Sequence, residues 1–348
     1  MTTDSASRPP TLEHVARAAG VSRATVSRVI NGVRNVDPEI AEVVNRAIAE
    51  TGYVPNRAAR SLVTGRTWSV ALVVSAPDHD VFDDPFMGRS FADPFFGRIA
   101  NGALAELGER GVHMILMRVN SAESRAKLLT SLRQGDIDGV ILISVHSIDP
   151  MPRLLTDAGV AVVLFGRPAE SIGISYVDVD ERAGAALAAN HLVQRGCKRV
   201  ATICGPLDTP AGTDRLSGFR DAMARHGQLR VPAVEGNFTQ DGGESGMLLL
   251  LDDEPDIDGL FVANDLMAQG AVLALREAGK RVPDDVAVVG FDDSSGALAS
   301  RPQLTTVRQP VEEMAAEMAR LLMARIEARE HRVTSVIFDP TLVVRDSA

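Results

Sequence analysis

A short stretch near the N-terminus combines arginine and hydroxyl side chains in a way that suits contact with DNA. A guanidinium donates a fork of hydrogen bonds to guanine, whereas hydroxyl, amide and further guanidinium groups donate to phosphate oxygens. We expect Arg23, with apolar contact from Ala24, to read base edges. The residues expected mainly to hold phosphates are Ser22, Thr25, Ser27, Arg28 and Asn31.

Two short helices would present this face. Gly20 ends the first helix, because glycine adopts the left-handed conformation that a tight turn needs, and Ser22 caps the second. The apolar positions at helical spacing are Leu12, Val15, Ala16 and Ala19 in the first helix and Val26, Val29 and Ile30 in the second. This pattern predicts a helix-turn-helix, with a surface helix pair of an all-α domain as the alternative.

Two further helical segments follow. Asp37-Pro38-Glu39 is typical of a helix start, and Gly52 would end that third helix. Its predicted apolar stripe consists of Ile40, Val43, Val44, Ala47 and Ile48. The next segment, 56–63, is only about two turns long and therefore unstable alone, so it would fold only where DNA or a partner chain binds it. The alternative is an ordinary linker.

From residue 68 onward, short apolar runs alternate with amphipathic stretches. The runs are SVALVVS, VHMILMR, DGVILIS, VAVVLFG, RVATIC, IDGLFVAN and DVAVVGFD, and near-continuous runs of this kind are typical of buried parallel strands. The predicted helices are 95–110, 122–134, 180–195, 213–227, 241–252, 264–279 and 310–329. The alternation predicts doubly wound parallel sheets, whose ligands bind beyond the carboxyl ends of the strands.

Composition narrows the class of protein. A chain of 348 residues favours two or three domains. Neither a membrane-spanning apolar run nor a signal pattern is present, which predicts a cytoplasmic protein, and the two cysteines suggest reduced thiols. Residues 1–66 carry nine arginines against six acidic residues, a charge of +3, and the remaining 27 basic and 40 acidic residues give −13. A basic N-terminal region on an acidic body suits a protein that contacts phosphate at one end.

The blocks TLEHVARAAGVSRATVSRVINGVRNVDPEI and GYVPNRAARSLVTGRT resemble the DNA-binding headpiece of the lactose-repressor (LacI/GalR) family of bacterial transcription regulators. The resemblance implies an all-α helix-turn-helix headpiece with a hinge helix, then an α/β periplasmic-binding-protein-like core of two doubly wound parallel-sheet subdomains. The implied boundaries are a disordered tail over 1–9, the headpiece over 10–55, the hinge over 56–66 and the core over 67–348. Within the core, one subdomain would comprise about 67–178 plus 308–330, and the other about 179–307 plus 331–348.

The resemblance also implies how the headpiece and hinge work. In a homodimer, two headpieces would read a pseudo-palindromic operator in double-stranded DNA, and paired hinge helices would bend its centre from the minor groove. Leu62 stands at the position of the leucine that wedges between base pairs, with Asn56, Arg57 and Ala59 beside it.

Several post-strand positions match the ligand-binding motifs of the family. Arg215, Asn264 and Asp292 could together grip neighbouring hydroxyls of a small sugar-like effector; for each alone, the alternative is a helix cap or an ion pair. Asp265, next to Asn264, belongs to the same motif, and for it we favour that alternative. Phe165 and Phe238 could stack on a sugar ring, with core packing as the alternative, and Arg167 could add a donor.

Residues 82–98 contain a local duplication, since six positions are identical at an offset of nine residues. The second copy matches the family element that leads into the first helix of the core, which implies that Asp93, Phe95 and Phe96 lie near the ligand. The first copy would be an insertion, either a lip of the cleft or a loop. More loosely, His146-Ser147 and the segment 205–215 resemble an actinobacterial branch that responds to plant- or starch-derived oligosaccharides.

No catalytic motif, metal spacing or phosphate loop competes with this interpretation, so we expect no enzyme, cofactor or metal. An exported sugar-binding protein and a sugar-converting enzyme are the alternatives outside the family. Within the family, a non-sugar co-repressor that tightens DNA binding is the alternative to a sugar inducer.

Overall fold

The computed structural model describes residues 10–30, 36–54, 65–77, 94–328 and 332–348, and the chain divides into two compact units, residues 1–68 and 69–348. The predicted tail, Asn31, the hinge residues Asn56, Arg57, Ala59 and Leu62, and Asp93 lie outside the described residues, as does the first copy of the duplication.

The first unit contains three helices: α1 (Leu12–Ala19), α2 (Arg23–Ile30) and α3 (Pro38–Thr51). Gly20 ends α1 at a φ of 64°, and the Oγ of Ser22 accepts a hydrogen bond from the backbone N–H of Thr25, 3.1 Å away. Asp37 caps α3 by accepting from the N–H of Glu39 at 2.9 Å. The turn and both caps thus lie where the sequence predicts them.

A small core joins the three helices. Its buried members are Val15, Ala16, Val26, Val44 and Ala47. Ile40 and Val43, which the apolar pattern assigned to the stripe of α3, are instead 39% and 41% exposed. The stripe that faces the core is therefore narrower than predicted.

The second unit contains two six-stranded sheets. The strands are β1 (Ser69–Ser75), β2 (His113–Val119), β3 (Gly139–Ser144), β4 (Val162–Phe165), β5 (Ser175–Val179), β6 (Val200–Cys204), β7 (Ala233–Glu235), β8 (Gly259–Val262), β9 (Ala287–Asp292), β10 (Thr305–Arg308), β11 (Ser335–Phe338) and β12 (Thr341–Val343). The first sheet has the order β11-β5-β4-β3-β1-β2 and the second β12-β10-β9-β8-β6-β7. All pairs are parallel except that of β10 with β12.

Nine helices of the described residues accompany the sheets. They are α4 (Pro94–Glu109), α5 (Ala122–Gln134), α6 (Met151–Asp157), α7 (Glu181–Gln194), α8 (Pro210–Arg225), α9 (Gln240–Asp253), α10 (Asp265–Glu277), α11 (Ser295–Ala299) and α12 (Val311–Ala328). In the second sheet, alternate residues enter two different core clusters: Leu260 and Val262 of β8 join one, and Phe261 joins the other. Both faces are thus covered, as expected for strands with continuous apolar sequence.

Two predictions about the core are wrong. The run VHMILMR was predicted to be a buried strand, but β2 is an edge strand, in which Ile115 and Leu116 are 41% and 48% exposed. The segment 331–348 was assigned to the second subdomain, but β11 pairs with β5 of the first sheet and only β12 joins the second. The chain therefore crosses between the sheets three times, after β5, after β10 and after β11.

None of the described helices is long and apolar enough to cross a membrane.

Candidate functional sites

A cleft lies where the carboxyl ends of strands from both sheets approach each other. One part of it holds about 560 Å³ of space and an adjoining smaller part about 390 Å³, in both cases including the open solvent at the mouth. The larger part is lined by Phe95, Phe165 and Arg167 from the first-sheet side and by Arg215 and Phe238 from the second-sheet side. Asn264 and Asp292 line the smaller part. The structure thus brings seven of the predicted effector residues to one cleft.

Arg215, in the first half of α8, is 5% exposed and is held on several sides. Its Nε and Nη2 donate to the carboxylate of Glu181 at 2.6 and 3.0 Å, and its Nη1 donates to the carbonyl of Ala263 at 2.6 Å. The guanidinium also lies 3.8 Å from the ring centroid of Phe291. Burial lowers the pKa of Arg215, but attraction by the carboxylates of Glu181 and Asp292 outweighs this effect and raises it.

Asp292 ends β9 in an unusual backbone conformation, with a φ of 110°. Its Oδ1 accepts from Nε2 of Gln309 at 2.6 Å and lies 3.6 Å from Nη1 of Arg215. Its backbone carbonyl accepts from Arg98 of α4 at 2.9 Å. The carboxylate therefore faces the cleft while its backbone joins the two halves of the core.

Asn264 is the N-cap of α10. Its Oδ1 accepts from the N–H of Met267 at 2.9 Å, and its Nδ2 donates to the carbonyl of Phe238 at 3.0 Å. This is the capping role that the sequence left as the alternative. Because an amide nitrogen carries two donors, Asn264 can cap the helix and still offer one hydrogen bond toward the cleft.

Aromatic rings form much of the apolar lining. The ring of Phe95 packs edge-on against that of Phe165, with 5.2 Å between centroids. Phe238, at a φ of 61°, is 8% exposed, and its ring packs against Gly205, where any β-carbon would collide with it. Phe96 is 4% exposed and packs in the core beside Phe95. It is not among the residues that line either part of the cleft. Phe96 was expected near the ligand, but the structure places it in the core behind Phe95.

Two carboxylates of the cleft were missed in the sequence. Asp178, at the end of β5, accepts from the N–H groups of Arg167 and Val179 at 3.0 and 2.9 Å, and burial raises its pKa to about 7. Glu181 begins α7 and holds Arg215. Asp178 interrupts the apolar pattern of a short strand, and that interruption by an acid was the only signal in the sequence.

Polar contacts bridge the first-sheet and second-sheet sides at the rim of the cleft. Arg167, which follows β4, bonds through Nε and Nη2 to Asp214 of α8 at 2.7 and 2.6 Å. His146, which follows β3, lies 2.7 Å from Oδ2 of Asp208, which follows β6. Ser147 donates through both its N–H and its Oγ to the carbonyl of Asp208.

Asp265 has a structural role, as the sequence allowed. It is fully buried, and it accepts from the Oγ1 of Thr306 at 2.6 Å and the N–H of Ser294 at 2.7 Å. Burial raises its pKa to about 7. Asp265 thus ties α10 to β10 beneath the cleft.

The candidate DNA surface lies on α2 and at its start. Ser22, Arg23, Ala24 and Arg28 are exposed, and Thr25 and Ser27 are half-buried. The Nη1 of Arg23 lies 3.1 Å from the carboxylate of Glu13 on α1, and both side chains remain largely exposed. The side chains predicted to contact DNA, as far as they are described, thus lie on or beside one accessible face.

Comparison with known proteins agrees with this arrangement. The family of bacterial regulatory proteins called lacI matches residues 11–56, and the periplasmic binding protein-like domain matches residues 189–348. The HTH-type transcriptional regulator CelR of Thermobifida fusca is 45% identical over 98% of both chains. The ribose operon repressor of Escherichia coli K12 is 33% identical, covering 97% of this chain and 99% of the relative.

Solved structures resemble the whole chain as well. A complex of the regulator CelR with cellobiose is 43% identical, with a TM-score of 0.74, over 97% of this chain and 100% of that one. The lac repressor dimer bound to operator and the anti-inducer ONPF is 26% identical, with a TM-score of 0.78, over 98% and 99%. These relatives are transcriptional regulators. The chain thus belongs to the LacI family of bacterial transcription regulators.

Proposed function

We propose that this protein is a dimeric repressor whose affinity for its operator is controlled by an uncharged sugar bound in the cleft between the two sheets. The observation that carries this proposal is the lining of the cleft, which combines phenylalanine rings with carboxylates and with arginines that are already paired. The chain belongs to a family of bacterial transcription regulators, and such proteins act on DNA inside the cell. The protein therefore acts in the cytoplasm, as the sequence predicts.

The charge balance of the cleft favours a neutral ligand. Among the described residues, both arginines that line it are bonded to carboxylates, Arg215 to Glu181 and Arg167 to Asp214. A phosphate or carboxylate ligand would need a cation with capacity to spare, whereas sugar hydroxyls can donate to Asp292 and Asp178. The edges and faces of Phe95, Phe165 and Phe238 offer apolar contact to a ring.

The relatives narrow the class of sugar. The regulator CelR was solved as a complex with cellobiose, and it is similar over almost the whole length of both chains. We therefore take short glucose oligosaccharides, beginning with cellobiose, as the first effector candidates. Asp93, Phe95, Phe165, Arg167, Arg215, Phe238, Asn264 and Asp292 remain the proposed effector residues, to which we add Asp178.

At the operator, Arg23 and Ala24 would read bases, and Ser22, Thr25, Ser27, Arg28 and Asn31 would hold phosphates. The hinge residues Asn56, Arg57, Ala59 and Leu62 would pair across the dimer in the minor groove. The lac repressor relative was solved as a dimer on its operator, which supports this arrangement.

Ligand binding would change operator affinity through the segments in which the chain crosses between the subdomains. Asp178 and Glu181 flank the first crossing, and Asp292 and Gln309 lie on either side of β10, which precedes the second. A ligand that contacts these residues prefers one angle between the subdomains, and only such a difference in affinity can shift the protein between states. We infer that the sugar favours the state with the weaker operator affinity.

The test is fluorescence anisotropy with DNA from the upstream region of the gene, titrated with cello- and malto-oligosaccharides and then with monosaccharides. Release of the operator by one sugar is the expected result. Tighter binding in the presence of a ligand would contradict induction and favour the co-repressor alternative. No response to any sugar would contradict the sugar effector.

A further inference from the structure

A second cavity opens beside the cleft. It holds about 740 Å³ of space, including the open solvent at its mouth, and is formed by the loops that follow β3 and β4, residues 144–153 and 164–172. Ser144, Val145, Arg167 and Pro210 line both this cavity and the larger part of the cleft. The two spaces are therefore neighbours that share a wall. We call the second cavity the side pocket.

The side pocket combines small apolar surfaces with hydrogen-bonding groups. Pro150, Pro152, Pro168 and Pro210 supply apolar surface, and proline rings can lie against the C–H faces of a sugar. Polar groups come from His146 and Ser147, which also bridge to Asp208 of the second subdomain.

The charges of the side pocket are balanced as well. Arg153 bonds to Glu170 at 2.6 Å, and Arg167 bonds to Asp214. Asp149 is buried and accepts from the Oγ of Ser144 at 2.7 Å and the N–H of Met151 at 3.0 Å. Such a lining favours uncharged hydroxyl groups over phosphate or carboxylate, as in the cleft.

We propose that the side pocket is a second subsite that holds the further sugar units of an oligosaccharide whose first unit lies in the cleft. This inference rests on the proposed sugar effector and adds that the protein recognises chain length. Because Val145 and Arg167 line both spaces, a sugar chain that extends from the cleft into the side pocket would pass these two residues. A ligand on this path would lie beside the His146–Asp208 bridge, so its length would affect the contact that joins the subdomains.

The test compares sugars of one to four glucose units, in the cello and malto series, by isothermal titration calorimetry with the full-length protein. We expect affinity to rise about tenfold or more when the chain becomes long enough to enter the side pocket, and then to level off. Ala169, which is exposed and lines the side pocket but not the cleft, is the position for a blocking variant, Ala169→Trp.

Ala169→Trp should remove the gain for the longer sugars and change the affinity of the shortest binder by less than about twofold. Ala126→Trp, on the exposed side of α5, is the matched control and should retain the full gain. If Ala169→Trp fails to bind operator and so is misfolded, Ala169→Leu gives the same comparison with a smaller side chain.

Affinity that is independent of chain length, or an equal loss for all sugars in Ala169→Trp, would overturn the second subsite while leaving the sugar effector intact. Absence of binding by every sugar in both series would instead contradict the proposed effector and this inference together.

Discussion

Asp292 both lines the effector cleft and bonds to the opposite subdomain. Its carboxylate accepts from Gln309 and lies near Arg215, while its carbonyl accepts from Arg98 on the opposite subdomain. A charged acceptor binds a hydroxyl more strongly than a neutral one does. The side chain of Asp292 can thus bind the ligand, while its backbone carbonyl contacts the opposite subdomain.

We expect Asp292→Asn to weaken effector binding at least about tenfold while leaving operator affinity without effector unchanged. The neighbouring Asp293 bonds to Arg308 and Arg345, and Asp293→Asn is the control. It should lower thermal stability and spare effector affinity. Calorimetry and operator anisotropy measure both effects, and a normal effector response in Asp292→Asn would remove this residue from the site.

Asp178 gives the protein a pH dependence of stability with a definite sign. Its pKa lies at about 7 in the fold against an ordinary 3.8, so between about pH 4 and pH 7 the folded state holds a proton that the unfolded state has lost. The free energy of unfolding therefore falls as the pH rises through this window and levels off above it. Asp265 contributes with the same sign.

Asp178→Asn should flatten the dependence of unfolding free energy on pH between 5 and 8, as measured by urea denaturation. The slope is the readout, because the substitution also alters two hydrogen bonds. Asp285→Asn is the control, since Arg281 lowers the pKa of Asp285 to about 2 and its contribution changes only at lower pH. Equal slopes for the parent and Asp178→Asn would show that Asp178 is ionised throughout.

The residue roles that the sequence missed depend on contacts between distant positions. Arg215 was predicted from its motif, but its partner Glu181 precedes it by 34 residues and belongs to another helix. Gln309, which directly follows the next strand, β10, donates to Asp292, and a helix and a loop separate the two residues in the sequence. No local pattern marks such partners, because the sheet order, and not the sequence, makes them neighbours.

Among the elements, α4 and α12 approach each other closely. A β-carbon on Gly102 of α4 would lie 2.9 Å from the Cα and the carbonyl carbon of Glu312 on α12. Arg98 of α4 also contacts α12, because its guanidinium bonds to the carboxylate of Glu312 at 2.7 Å. Only glycine permits this packing, because backbone atoms cannot move aside as the end of a side chain can.

Gly102→Ala should therefore lower the melting temperature by several degrees, corresponding to roughly 1–3 kcal/mol for overpacking. Gly108→Ala on the same helix has open space around the added carbon and is the control. That variant should be neutral or slightly stabilising, since alanine favours helix over glycine. Two variants of equal stability would argue against the close approach.

The hinge segment carries a prediction based on sequence alone. Leu62→Ala should weaken operator binding strongly without changing effector affinity, because the wedge acts on DNA only. Ser61→Ala, beside it, is the matched control and should bind operator much more tightly than Leu62→Ala. Anisotropy and calorimetry separate the two affinities, and parental operator binding by Leu62→Ala would refute the wedge.

Elements with strong local signals were predictable, and those without were not. The seven amphipathic stretches of the core are helices within a few residues of their predicted ends, because apolar spacing and caps agree there. Five strands are short or interrupted by polar residues and escaped prediction: β5, β7, β10, β11 and β12. The apolar run of β2 was misjudged because strand composition does not reveal which strand lies at an edge.

At the scale of the whole molecule, the polar contacts across the cleft rim affect the relative populations of the subdomain arrangements. The His146–Asp208 contact joins loops of the two sheets, so it exists only when the rims are close. Removing it should lower the population of the closed arrangement, and ligand affinity falls in proportion to that population.

Asp208→Ala, which removes the carboxylate that contacts His146, should consequently weaken effector binding about threefold and shift the operator-release curve by the same factor. Asp221→Ala removes an exposed ion pair with Arg182 inside the second subdomain and is the control. Indistinguishable release curves for the two variants would show that the bridge does not couple the subdomains.

The third chain crossing has a consequence for synthesis on the ribosome. The strand β11, which completes one edge of the first sheet, and β12, which completes one edge of the second, are separated by only Asp339 and Pro340. Neither half of the core can acquire its last strand until this stretch has emerged, although both halves began much earlier. The two halves, which differ in sequence and ligand contacts, therefore reach completion almost together, and a nascent chain halted before residue 335 would expose an unpaired strand edge on each sheet.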